Sequence, residues 1–292
     1  MWNNLTVHPI LFCFLYSFLF VCSLYFVRTK LPRNHPITIR NRFVSVTVAS
    51  LIIILHVSTL IRRYDYPWST VYIYDWKQIF ITLDNFWSII LYSTALTLAP
   101  YLGTLVDRMC SGQLYALFSG ELWEYRLFSW VSVRNLIVAP AAEELIFRAC
   151  ILYHLLPLYT SCWSLCVVSP LFFSIAHFHH MLEHIHDGER VLHAFLKTLF
   201  QVAYTTIFGA YSAFLLLRTG SIFSAIVAHA LCNLMSLPDF PGALKRGRMR
   251  WGVWGQLLAI IAHTSGLVLW AWFLFPATDP RRFGNTTARC VW

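Results

Sequence analysis

The sequence predicts an all-α, polytopic membrane helix bundle of about eight transmembrane helices, and three observations carry that prediction. Hydrophobic residues make up 58% of the 292-residue chain and charged residues only 12%, with a mean hydropathy of +0.60, far too apolar for a soluble domain of this length. The apolar residues fall in runs of about 20, the length that crosses a bilayer as a helix, joined by short polar stretches. Aromatic residues are abundant, and Trp and Tyr favour the membrane interfaces. A single transmembrane domain over 1–292 follows, with no separate soluble domain.

Taken in order, the first run, 9–27, lacks a basic leader and an obvious small-residue cleavage site, and reads as a retained anchor. Arg28, Lys30, Arg33, Arg40 and Arg42 follow it; the positive-inside tendency puts this loop in the cytosol and the N-terminus in the lumen. Runs at 43–61 and 86–105 are the second and third spans. Between 110 and 134, apolar Leu114, Leu117, Phe118, Leu122 and Tyr125 are mixed with Glu121, Glu124 and Arg126 at the spacing of a helix lying in the interface. The next helix contains Pro140, which has no N–H to donate and is expected to kink or restart it.

Runs at 161–178, 195–217, 221–237 and 253–275 complete the count. Eight crossings return the C-terminus to the lumen and set Lys245, Arg246, Arg248 and Arg250 in a cytosolic loop. The formal charge of +9 lies mostly in such loops rather than along one exposed helix or arm, so it is read as an orientation signal and not as a nucleic-acid surface. The eight cysteines are scattered mostly through apolar runs with no CxxC pair, and neither a disulfide nor a zinc framework is expected.

The chemistry is concentrated where charge interrupts apolar sequence. Ionisable residues inside a membrane segment cost about 2.5–3.5 kcal/mol each on insertion scales, so they mark polar interiors and sites. In Ala139-Pro140-Ala141-Ala142-Glu143-Glu144-Leu145-Ile146-Phe147-Arg148, Glu144 and Arg148 are four apart and positioned to pair on a helix, whereas Glu143 points about 100° away and stays free. The plain alternative is that both acids belong to an ion-pair cluster that locks helices together.

His177 ends the fifth span, and His229 and Asn233 lie one turn apart in the seventh and share a face. With Glu143 they supply a base, two imidazoles and a neutral amide, a sufficient set for water-driven acyl hydrolysis. A zinc ion held by Glu143, His177 and His229 would be a second route to the same reaction. His180-Met181-Leu182-Glu183-His184 also fits an H-x-x-E-H zinc pattern, but its short, polar, histidine-rich setting between 177 and 186 reads as a solvated loop. A noncatalytic membrane scaffold or transporter, with these polar groups only packing helices or conducting ions, is the reading from another class.

The blocks Ala139-Pro140 through Glu143-Glu144-Leu145-Ile146-Phe147-Arg148-Ala149-Cys150, Pro170-Leu171-Phe172-Phe173-Ser174-Ile175-Ala176-His177-Phe178-His179-His180, Phe208-Gly209-Ala210-Tyr211 and His229-Ala230-Leu231-Cys232-Asn233 closely resemble the CAAX prenyl protease 2 family, the Ras-converting enzymes. The motifs fall within 134–240. That resemblance implies a glutamate-type intramembrane endopeptidase of eight spans in the endoplasmic reticulum membrane. Such an enzyme removes the last three residues from farnesylated or geranylgeranylated CAAX proteins, Ras-type small GTPases among them, and requires no metal or cofactor.

Carried onto this chain, the resemblance makes Glu143 the base and His177 its partner on the water. His229 and Asn233 become the oxyanion hole, and Glu144 and Arg148 support the site. A lipid-bearing substrate with a polar C-terminus calls for a site inside the membrane that opens to the cytosol. The predicted topology puts His177 on that side.

Overall fold

The computed structural model describes residues 7–27, 31–65, 79–113, 129–285 and 290. Helices joined by short turns make up these residues, as an apolar medium requires: a helix satisfies its backbone N–H and C=O groups within one segment. Helix α1 (Val7–Phe26) and helix α2 (Pro36–Asp65) pair at the N-terminal side, and α3 (Phe86–Cys110) crosses the bundle with a tight turn at Ala99–Tyr101. Helix α4 is the run 130–155, α5 is Cys162–Ala176, α6 is His179–His186, α7 is Val191–Thr219, α8 is Ile222–Met235 and α9 is Phe240–Ala277. Among the described residues six spans are long and apolar enough to cross a membrane, the one at Cys162–His186 running through α5 and α6, while α8 is a shorter apolar helix. Every predicted run is a helix, so the polytopic helical bundle stands; the interfacial helix expected at 110–134 lies mostly outside the described residues.

Four local expectations change. Pro140 neither breaks nor restarts α4. Backbone dihedrals stay helical from Val138 through Leu145, and the residues upstream of the proline, Arg134–Val138, widen into a π-turn, as do Leu145–Cys150 downstream. The histidine-rich loop is a helix, α6.

The basic stretch 245–250 is also helical. It forms a short arm of α9 that reverses at Trp251 and Gly252, where Gly252 takes a positive φ of 60°. The reversal lets Gly247 and Gly255 touch backbone to backbone with no room for a Cβ on either. The expected span at 253–275 is the part of α9 after this kink. Asp107 holds the arm, accepting from Arg246 at 2.7 Å and Arg250 at 3.3 Å. At the arm's start the N–H of Gly242 and then Arg246 hold the Asp239 carboxyl below its ordinary range.

The fourth change concerns cysteine. Cys162, at the start of α5, is bridged to Cys290 across 128 residues, against the expectation of no disulfide. Apolar context hid the pairing, because connectivity depends on which helix ends meet in space. Arg218 reinforces the same end of the bundle. Buried, it donates to the carbonyls of Cys290 and Phe275 and to Thr278 Oγ1. Gly220 ends α7 in the left-handed conformation, its N–H returning to Leu216 O at 2.8 Å.

The core lies where α4 passes between α1, α2, α5 and α7, with Phe147, Ile151, Leu152 and Leu155 fully buried. A polar contact crosses it: Tyr16 of α1 bonds His56 of α2 at 2.6 Å and His154 of α4 at 3.1 Å. The effect is to fix α4, and with it the two glutamates, against the rest of the bundle.

Candidate active site

Helix α4 starts at Ser129, whose hydroxyl accepts from Ser132 N at 3.1 Å, and carries Glu143 and Glu144 to the middle of the bundle. Glu144 and Arg148 are fully buried. Oε2 of Glu144 accepts from Ser212 Oγ at 2.6 Å and lies 3.3 Å from Arg148 Nε, while Oε1 lies 2.7 Å from His229 Nδ1. Fully buried behind these partners, this carboxylate is shut off from the cavity.

Arg148 is held mainly by charge and packing. It meets no hydrogen-bond acceptor in good geometry among the described residues, and its guanidinium sits 4.8 Å over the ring of Phe173, a cation–π contact. Gly209 makes the space: a Cβ there would fall 3.0 Å from Arg148 Nη2 and 2.7 Å from Pro170 Cβ.

Glu143 is different. Its side chain is 23% exposed, and it lines a cavity of about 1090 Å³ that reaches into the bundle. His177, His229 and Asn233 line the same cavity, so the structure gathers all four of the expected reactive side chains on one wall system, with Glu144 and Arg148 behind it. Nε2 of His229 lies 3.7 Å from Glu143 Oε2. The ring is thereby anchored through one nitrogen and presents the other to the cavity.

His177 is fixed in the same manner. Its Nδ1 lies 2.8 Å from Phe173 O, a carbonyl that can only accept, so Nδ1 carries the proton and Nε2 is left with a lone pair. Phe173 stands edge-on to this ring at 4.5 Å between centroids. Asn233 donates one amide N–H to Asn135 O at 2.9 Å and keeps the second.

The trio Glu143, His177 and His229 does not bring its ligand atoms together. Among the described residues, the side chains whose ligand atoms gather within 4.8 Å of one another are His179, His180 and Glu183. There Glu183 bonds His180 Nδ1 at 2.7 Å and Tyr25 Oη at 2.5 Å. His184, the second histidine of the H-x-x-E-H pattern, lies 3.3 Å from Glu189 instead.

Ser212, Asn135 and Phe173 were not singled out for a role from sequence. Serine, asparagine and phenylalanine are ordinary in membrane helices, and only the crossing of α7, α4 and α5 gives them partners. Phe208-Gly209 stood inside a recognisable block; its use, a ring 5.0 Å from His229 and room for Arg148, is visible only in three dimensions.

A membrane helix bundle that carries acids and imidazoles on the wall of an interior cavity has the build of a polytopic membrane hydrolase. Comparison with known proteins narrows the class. The profile of the type II CAAX prenyl endopeptidase Rce1-like family matches residues 125–235. CAAX prenyl protease 2 of Homo sapiens is 32% identical over 91% of this chain and 80% of its own length. The Caenorhabditis elegans protein of that name is 31% identical over 76% and 81%, and the probable CAAX prenyl protease 2 of Schizosaccharomyces pombe is 32% identical over 80% and 83%. No solved structure matches the chain. The chain belongs to the type II CAAX prenyl endopeptidase family and is a multi-pass membrane protease acting in CAAX processing.

Proposed function

We propose that this endopeptidase releases the C-terminal tripeptide from farnesylated or geranylgeranylated CAAX proteins, Ras-type GTPases included, by a glutamate-activated water in the cavity. The observation that carries the mechanism is the unequal state of two adjacent carboxylates: Glu144 is fully buried against Ser212, His229 and Arg148, while Glu143 faces the cavity. One acid builds the site and the other is left for chemistry.

In this mechanism Glu143 takes a proton from water as the water oxygen attacks the scissile carbonyl. The lone pair on His177 Nε2 accepts the water's second hydrogen and aims the oxygen. The developing oxyanion is met by the second amide N–H of Asn233 and by a proton on His229 Nε2, with Glu144 fixing the ring that carries it. Glu143 then returns its proton to the leaving amine. Prealigned donors in a site sheltered from bulk water are the larger part of such catalysis, because they need no reorganisation as charge develops.

The same reading sets the protein in the endoplasmic reticulum membrane with the cavity open to the cytosol, from which the polar CAAX tail enters while the prenyl chain stays among lipid. Substrate and surrounding lipid are the partners; nucleic acid is not. The test is tripeptide release from a farnesylated CAAX peptide by detergent-purified protein, beside Glu143→Gln and with a strong chelator. Release that survives chelation and vanishes in the variant supports the reading. Zinc-restored activity after chelation would move the mechanism to a metal, and absence of turnover from folded protein would favour the scaffold.

A further inference from the structure

An enzyme that cuts three residues from a chain end must sense that end. The cavity that holds Glu143 also has a cationic wall: Arg33, from the turn before α2, Arg42, from α2, and Arg134, from the first π-turn of α4, line it together. Arg33 and Arg42 come close enough to Arg134 for their charges to repel it. None of the three has a carboxylate at ion-pair distance among the described residues. Glu183, which with Glu143 makes up the acids lining the cavity among those residues, is already bonded to Tyr25 and His180. Arg134 is instead oriented by neutral groups, donating through Nη1 to Asn34 Oδ1 at 3.1 Å and through Nε to Asn135 Oδ1 at 2.9 Å. Three like charges held together without an acid are unfavourable alone and become favourable when an anion joins them.

Spacing identifies the anion. Arg134 and Glu143 lie on one helical run, nine residues apart, a rise of about 13 Å at 1.5 Å per residue. Three extended residues reach about 10 Å, and the remainder is filled by the attacking water at one end and the guanidinium at the other. We propose that Arg33, Arg42 and Arg134 bind the substrate's C-terminal carboxylate and so place the bond three residues upstream at Glu143. The proposal rests on the tripeptide-releasing reading above. The cluster's place on the wall of the reaction cavity favours this ligand over the other anion at hand, a phospholipid headgroup.

The experiment compares a farnesylated CAAX peptide bearing a free C-terminal carboxylate with the same peptide as its C-terminal amide. It uses the full-length detergent-purified protein and the variants Arg134→Gln, Arg42→Gln and Arg33→Gln. Wild-type protein is expected to favour the acid by at least about tenfold in kcat/KM, the scale of a lost charge-assisted contact, with most of the difference in KM. Each variant should lower that ratio, and the triple variant should bring it near one.

A wild-type ratio of one overturns the proposal and needs no variant to be folded. A ratio that survives in the triple variant overturns it as well. Equal loss on both peptides, restored by phosphatidylserine vesicles, would assign the cluster to lipid headgroups and overturn it too. Failure of the wild type to cleave the free acid at all would instead overturn the proteolytic reading, and this inference with it.

Discussion

The Nδ1 of His229 lies 2.7 Å from Oε1 of Glu144, a bond between helices 85 residues apart in sequence. Because Glu144 also faces Arg148 at 3.3 Å, one buried acid both orients an imidazole and balances a buried cation. Glu144→Gln is therefore expected to cost stability as well as turnover. Breaking a buried pair from one side typically costs about 3–5 kcal/mol. Adding Arg148→Met should recover much of that loss in thermal unfolding while cleavage stays low, since the ring of His229 remains without its carboxylate. Recovery of both together would show that Glu144 serves packing alone.

Glu143→Gln keeps shape and removes the basic oxygen. Tripeptide release should fall by at least about 100-fold, the scale of lost general-base catalysis, with the unfolding temperature near that of the wild type. Chelation of the wild type should leave its rate unchanged. Activity in this variant comparable to the wild type would remove Glu143 from the chemistry.

Gly209→Ala probes the space around Arg148. The added methyl would sit 2.7 Å from Pro170 Cβ and 3.0 Å from the guanidinium, so α7 must move away from α5. Overpacking of this kind costs about 1–3 kcal/mol. The melting temperature should drop, and a lowered rate should accompany it because Ser212, less than one turn farther along α7, carries the bond to Glu144. An unchanged melt would mean that the two helices have slack at this crossing.

Asp107→Asn releases the basic arm at the start of α9. Arg246 and Arg250 lose their shared acid, and Asp239, 3.0 Å from Arg246, is left to oppose the mutual repulsion of the arm's cations. The energetic effect is small, about 1 kcal/mol for partly exposed pairs, but limited trypsin digestion should cut at 245–250 several times faster. About 1 M salt should speed cutting in the wild type and change the variant less. Equal digestion of both proteins would place the hold on the arm in Gly247 and Gly255.

The polar centre was legible because membrane sequence makes charge conspicuous. Glu143, His177, His229 and Asn233 each interrupt an apolar run, and all four line one cavity. The pairing of Glu144 with Arg148, and the different direction of Glu143, could be read from helical angle. Ser212 and Asn135 were hidden, since a hydroxyl or amide in a membrane helix is common and their partners lie 68 and 98 residues away. The π-turns on either side of Pro140 were not readable either; the missing donor bears on the carbonyl of Leu136 in the upstream turn, and nothing in the local sequence marks the downstream one. At 240–252, density of positive charge suggested a loop; the glycines that let the chain fold back on itself mattered more.

The bridge between Cys162 and Cys290 acts as a compass. A disulfide lasts in an oxidising compartment and is reduced in the cytosol, so the bridge links the proposed membrane orientation to a redox condition. His177 closes the helix that Cys162 begins, about 22 Å along its axis at 1.5 Å per residue. Under the orientation proposed above, with the His177 end toward the cytosol, the bridged end faces the oxidising side, where such a bond lasts. If that orientation holds, a chain inserted the other way round would lose the bond and its access to substrate together.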